Sequence, residues 1–358
     1  MKISVVLLIV AAMSVAGIIS CSKTTTGPGT PASGATLNVL LISAGDAPDV
    51  NSSNIEAVWQ NATALTVNAS KIGTDTAGVA RSFPISIKSL VSGTDIYFMV
   101  QYADPTEDYL KMPLKFNGGD AADPARWQKQ SVYDDGVSFA FEQVPGKSGN
   151  LTFTSNGCAM LCHTPTTPNG PGMYSDDSGQ YDVWYWHSGK SNGCGYADDD
   201  ISEGNPVYQL LSDDASVENY QNNADDFTGG SIPAKIAGGN NQQLDKRYFV
   251  EFETGQAFTG KEKNPATGSP WAAGDRVPGY TIANPTPSND YFDVQARGYW
   301  SNGMWTVKFH RKLNTGVDHL DTQFAHGKSY LFSVAVHDAT PPDVHYGDAN
   351  SSFTLAIP

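Results

Sequence analysis

Apolar side chains recur at every second residue along several short stretches of this chain, and that period belongs to half-buried strands. In Asp95–Tyr102, Ile96, Phe98 and Val100 share one face, with Tyr97, Met99 and Gln101 on the other. Val137, Phe139 and Phe141 alternate in Gly136–Glu142, and Tyr248–Phe252 is a further apolar, aromatic run. Val294–Trp300 and Met304–Lys312 flank Ser301-Asn302-Gly303; Asn-Gly between two such runs is a strong hairpin signal. Lys328–His337 and Phe353–Ile357 complete the set. Helical periodicity is scarce, with short helices expected around Ser52–Gln60 and Pro206–Asp213. Many short strands with turn-rich joints predict an all-β chain built as a sandwich or barrel.

Between about 143 and 290 the alternation fades, and Gly, Asn, Asp and Pro dominate. A long irregular stretch inside a compact domain is usually functional. It is read as loops laid over one end of the sandwich. Asp198-Asp199-Asp200 within it reads as a solvated acidic loop, a calcium contribution being the sharper alternative.

The first residues address the chain outward. Lys2 precedes an apolar run from Ile3 to Ile19, and Ile18-Ile19-Ser20-Cys21 ends it. A charged start, an apolar stretch and small residues make a secretory signal. The ending also resembles the bacterial lipobox, in which Cys21 would be lipidated and become the new N-terminus. Acyl chains contribute on the order of 0.8 kcal/mol per buried CH₂, so several together anchor stably. Ser22 in place of Asp implies, by resemblance to known sorting signals, the outer membrane, facing periplasm or exterior. Residues 22–36 are small or polar and read as a flexible tether. The expected organisation is a signal peptide over 1–20, lipidated Cys and tether over 21–37, and one folded domain over 38–358. With 37 acidic against 22 basic residues, the net charge of −15 argues against nucleic acid as a partner.

The chemistry concentrates in Gly157-Cys158-Ala159-Met160-Leu161-Cys162-His163. Two cysteines followed directly by His resemble the attachment motif of c-type cytochromes. There two thiols form thioethers with the haem vinyl groups, and the His becomes the proximal iron ligand. Three residues separate Cys158 from Cys162 where the usual motif has two. A Cys158–Cys162 disulfide is open as another reading. So are a zinc site from Cys158, Cys162, His163 and Cys194, and a non-covalent b-type haem.

A wider resemblance favours haem. The pieces run in order: Val58-Trp59 with Ala64–Val67, Ile96-Tyr97-Phe98 through Asp104-Pro105-Thr106, Asp135-Gly136-Val137 with Phe139, and Gly157–His163. Asp182-Val183-Trp184-Tyr185-Trp186-His187 follows, then Tyr299-Trp300, Asn302–Val307 with Arg311, and Val334–Asp338. Together they are similar to the haem-binding subunit family of ethylbenzene dehydrogenase and related dimethyl-sulfoxide-reductase-type enzymes, including its cytochrome c-552-like members. About 195–275 has no counterpart there and reads as an insertion.

The resemblance implies an immunoglobulin-like β-sandwich with long loops and a few short helices, haem buried near one end, and electron transfer to redox partner proteins rather than catalysis. Haem would be c-type through Cys158, Cys162 and His163, or b-type. For the distal ligand, the family's C-terminal ligand stretch falls on Val344-His345-Tyr346, so His345 comes first. His337 is second, on the strand face opposite Val334 and Val336; Met173 and His187 follow. Trp184, Tyr185 and Trp186 serve either a porphyrin face or the core. The alternative from another class is a non-haem, ligand- or glycan-binding surface lipoprotein, which has no need for Cys158, Cys162 and His163 as a group.

Overall fold

The computed structural model describes residues 34–72, 80–162, 179–193, 195–203, 209–212, 220–222, 233, 235–236, 256–265, 267–282, 293–317, 320–341 and 344–358. Of Cys162 it describes the backbone alone. The N-terminal residues 1–33, Tyr248–Phe252, His163, Met173 and Cys194 lie outside this set.

Among the described residues, fourteen strands share one hydrogen-bonded sheet. In chain order they are β1 (Thr36–Asn38), β2 (Leu40–Leu41), β3 (Leu65–Ile72), β4 (Ser82–Ser92), β5 (Asp95–Ala103), β6 (Gly136–Val144) and β7 (Gln180–His187). Then come β8 (Asp198–Glu203), β9 (Gln209–Ser212), β10 (Gln295–Ser301), β11 (Met304–Lys312), β12 (Ser329–His337), β13 (His345–Gly347) and β14 (Phe353–Ala356). The path runs β9-β8-β7-β6-β12-β13-β3-β4-β5-β11-β10, with β1 on β14, β14 also on β12, and β2 on β4. The short strand β13 pairs with Ala335–Val336 on one side and Ser70–Ile72 on the other, so the sheet folds over on itself there. The two halves face each other as a β-sandwich. Phe139 of β6 meets Phe98 of β5 at 5.2 Å and Phe309 of β11 at 5.3 Å, and Trp186 of β7 meets Trp305 of β11 at 5.2 Å.

The expected alternation of β5, β6, β11 and β12 becomes inward and outward faces. Ile96, Phe98, Val100, Val137, Phe139, Phe141, Val334 and Val336 all join one buried cluster. Burying each such side chain contributes about 1.5–3 kcal/mol. The β10–β11 hairpin turns at Asn302 and Gly303, both at positive φ (53° and 77°), as a two-residue mirror-image turn requires.

Four expectations are corrected. Within 143–290, the described strands β7, β8 and β9 extend the main sheet where loops over one end were expected. Strand β7 hides its period because it is buried on both faces. Trp184 and Trp186 enter the core, while Tyr181 and Val183 pack under Phe153, Met160 and Leu161 of two short helices, α2 (Phe153–Asn156) and α3 (Ala159–Cys162). Where a helix was expected over Pro206–Asp213, Gln209–Ser212 pairs with Asp200–Glu203 as β9; tertiary pairing overrides weak local preference. The acidic run is not a solvated loop either: it opens β8, with Asp198 and Asp199 buried. The Ser52–Gln60 helix reduces to one turn, Val58–Asn61. Thr36 and Leu37 pair with β14.

Candidate functional site

Strand register lines up the candidate residues. Gly136 of β6 pairs with His187 of β7 on one side and with His337 of β12 on the other. His345 opens β13 beside β12, its ring 5.5 Å from that of His337. These side chains leave the outer face, opposite Val137, Trp186 and Val336 of the core. Gly136 leaves the row open in the middle. A Cβ there would stand 2.7 Å from the Tyr185 ring. Tyr185 fills the gap, lying 3.7 Å from the His187 ring and 4.6 Å from the His337 ring, centroid to centroid.

Cys158 closes the row. The Thr152 hydroxyl accepts the Ser155 N–H at the start of α2, and the helix ends at Gly157 with φ +54°. A Cβ at Gly157 would lie 2.5 Å from the Ser351 carbonyl oxygen, so the chain passes here only as glycine. That turn seats the Cys158 thiol 3.7 Å from His345 Nε2, in a pocket with Ile72 and Ala335. Cys158, His345, His337 and His187 are all buried. Four sequence-predicted residues therefore converge on one outer-face row. The side chain of Cys162, all of His163, Met173 and Cys21 lie outside the described residues, although the backbone of Cys162 ends α3.

An ion network that sequence reasoning missed surrounds His187. Its Nδ1 stands 3.3 Å from Asp134, and its Nε2 3.8 Å from Asp198 Oδ2. Lys190 bonds Asp198 at 2.8 Å, and Lys111 lies 4.0 Å from Asp134. Burial pushes the His187 imidazole down to about 4, helped by Lys111. Burial also drives His337 well below its ordinary value, with His345 and His187 adding to the shift. Burial raises Asp134, but His187, Lys111 and the Gly189 N–H outweigh it and hold the carboxyl well below the usual range. Both imidazoles are thus neutral near pH 7 and keep a lone pair, the form in which His binds metals. His337 Nδ1 is buried without a hydrogen-bond partner. A buried unpartnered nitrogen calls for an explanation, and a metal donor is one. The network residues are spread over Lys111, Asp134, Lys190 and Asp198, and no local spacing reveals them.

Aromatic roles divide by face. Trp184 and Trp186 are core, and Tyr185 alone of that motif joins the histidine row. Trp59, Trp127 and Trp305 are buried as well, while Trp271 and Trp300 are half-buried.

Two solved structures show a weak likeness at low identity. A protein of inferred carbohydrate binding from Bacteroides uniformis is 9% identical, with a TM-score of 0.37, over 91% of this chain and 100% of that one. A family 9 carbohydrate-binding module from Caldicellulosiruptor kristjanssonii, solved with glucose, is 8% identical, with a TM-score of 0.33, over 90% and 95%. Likeness at this level carries no argument about ligands. No curated protein matches. The profile of the family described as ethylbenzene dehydrogenase matches residues 56–346, a span that takes in β3 to β13 and every described residue of the histidine row. This chain belongs to the ethylbenzene dehydrogenase family.

Proposed function

We propose that the chain is an exported electron-transfer lipoprotein, anchored through lipidated Cys21, that binds one haem through Cys158, Cys162 and His163 and passes electrons to a redox partner protein. The observation that carries this reading is the seat of Cys158 beside two buried imidazoles, His345 and His337, drawn from strands far away in sequence. Membership of a redox-related family supports it.

The residues present fit haem. A thiol stands at the end of the row, and buried imidazoles, a donor type that haem iron takes, follow it. Bound haem would supply one-electron exchange, with Cys158, Cys162 and His163 as the residues that would hold it. Gly157 and the α2 cap hold Cys158 in place. His337 presents the unpartnered ring nitrogen, so it is the better-supported distal donor, with His345 next to the thiol as the alternative. His187 faces carboxylates at both ring nitrogens, so it orients the row through Tyr185 rather than offering a ligand. The glycan-binding alternative lacks a tryptophan platform: all seven tryptophans are buried or half-buried.

The test is expression of the full chain in a periplasm that contains cytochrome c maturation proteins. A haem-stained denaturing gel and the pyridine haemochrome spectrum are then recorded. Haem that stays with the denatured band, and is lost on combined Cys158→Ala and Cys162→Ala, is the expected result. Haem released by denaturant would favour the b-type form. Absence of haem in both native and denatured protein would overturn the proposal. Loss of a low-spin spectrum in His337→Ala but not His345→Ala would identify the distal donor.

A further inference from the structure

Three strand ends meet at one end of the sandwich, each carrying an aspartate. Asp104 follows β5, Asp135 precedes β6, and Asp338 follows β12. Carboxylate oxygens of the three lie within 4.8 Å of one another. We infer that Asp104, Asp135 and Asp338, with the Tyr102 hydroxyl, form a binding site for a hard divalent cation, calcium in preference to magnesium. The inference is independent of haem.

The hydrogen bonding leaves an opening. Asp135 accepts N–H groups from Asp108 at 2.8 Å, from Trp305 Nε1 at 2.9 Å and from Ala339 at 3.2 Å. These bonds orient its carboxyl. Asp104 Oδ1 accepts the Thr106 N–H at 3.1 Å, but Asp104 Oδ2 is buried with no partner. The Tyr102 hydroxyl is also buried without one. Tyr102 comes from the inner face of β5, directly across from Trp305, which holds Asp135. Two unpartnered buried oxygens at a three-carboxylate cluster are an arrangement that a cation completes.

Charge leads to the same place. Arg81 lies 2.5 Å from Asp338, and Asp108 adds a further carboxylate nearby. One guanidinium among these acids leaves room for two positive charges. The other buried triad is different: Asp182, Asp199 and Asp321 cluster around Arg311, which bonds Asp182 at 3.0 Å and Asp321 at 3.1 Å. That triad already has its cation. The first triad also has an approach, because the Asp338 side chain is 18% exposed. An all-oxygen donor set with three carboxylates suits calcium, whose geometry is flexible, better than magnesium, which needs near-octahedral order.

The experiment uses the full chain, stripped with chelator and titrated with calcium chloride, magnesium chloride or terbium chloride. At calcium about a hundredfold above Kd, the melting midpoint should rise on the order of 5 °C, and magnesium should give less. Terbium should luminesce under tryptophan excitation, because Trp305 bonds a ligand carboxylate. Asp338→Asn, at the partly exposed ligand, should remove both signals, whereas Asp321→Asn should keep both. No calcium shift and no sensitised terbium in the unmodified chain would overturn the inference. So would an Asp338→Asn variant that keeps both.

Discussion

Replacing Arg311 with Met should strip the sandwich of a buried charge that several carboxylates depend on. The Arg311 guanidinium is buried, with Nη1 bonded to Asp182 at 3.0 Å and to Asp321 at 3.1 Å, and Nη2 donating to the Thr322 carbonyl. It also lies over the Trp184 ring at 4.8 Å and the Phe324 ring at 5.0 Å. Met refills most of the stem volume, so the loss is mainly electrostatic. Asp182 keeps the Thr322 N–H and Asp321 keeps the Thr315 hydroxyl, but both carboxylates lose their cation. Removing one partner of a buried pair costs about 3–5 kcal/mol, a fall in melting midpoint on the order of 10 °C.

The pH dependence has a definite sign. Burial raises Asp321 from 3.8 to about 7 even with Arg311 opposing it. A carboxyl that holds its proton more tightly when folded loses stability as pH rises from about 4 through its folded value. Without Arg311 that folded value climbs further. The damage should therefore be greatest at pH 8 and shrink at pH 5, where Asp321 is protonated in the folded chain. Circular-dichroism melts at both pH values measure it. A second variant adding Asp182→Asn and Asp321→Asn should recover part of the loss at pH 8. A cost under about 1 kcal/mol at pH 8, or one equal at both pH values, would refute the reasoning.

Lys308→Met should free the segment 49–56, because the buried ammonium collects the carbonyls of Asp49, Ser52 and Asn54 and the Glu56 carboxylate. Amide exchange there should rise more than elsewhere, with a global cost of about 3 kcal/mol. Gly157→Ala sets a Cβ against the Ser351 carbonyl at positive φ, so in the haem-free chain it should cost about 1–3 kcal/mol and speed labelling of the Cys158 thiol; an unchanged labelling rate would count against the tight seat described for Cys158. Trp184→Ala empties a site shared with Phe98, Phe141 and Phe309, at a cost of about 3–5 kcal/mol in chemical denaturation.

Strands with a regular apolar alternation announced themselves. Strands β5, β6, β11 and β12 alternate cleanly, and the Asn302-Gly303 turn marks its own hairpin, because local chemistry sets both. The strand β7 gave no such sign, since α2 and α3 cover its outer face and its period of two vanishes. The acidic opening of β8 misled for a related reason: three aspartates in a row look solvated until Lys190 and Arg311 arrive from elsewhere in the chain.

The candidate site divides in the same way. Cys158 is visible in sequence because two cysteines and a histidine stand within six residues, and His337 because its strand face is readable from Val334 and Val336. That His345, His337, Tyr185, His187 and Cys158 form one row was decided by strand order and register across β7, β6, β12 and β13. The Asp104, Asp135 and Asp338 cluster likewise exists only where three strand ends meet. Sequence alone determined the alternating strands β5, β6, β11 and β12 and which residue types can carry chemistry, since periodicity and local motifs act over a few residues. Tertiary structure alone decided which distant charges meet in the dark of the interior, where burial makes each unpaired group costly and so dictates its partner.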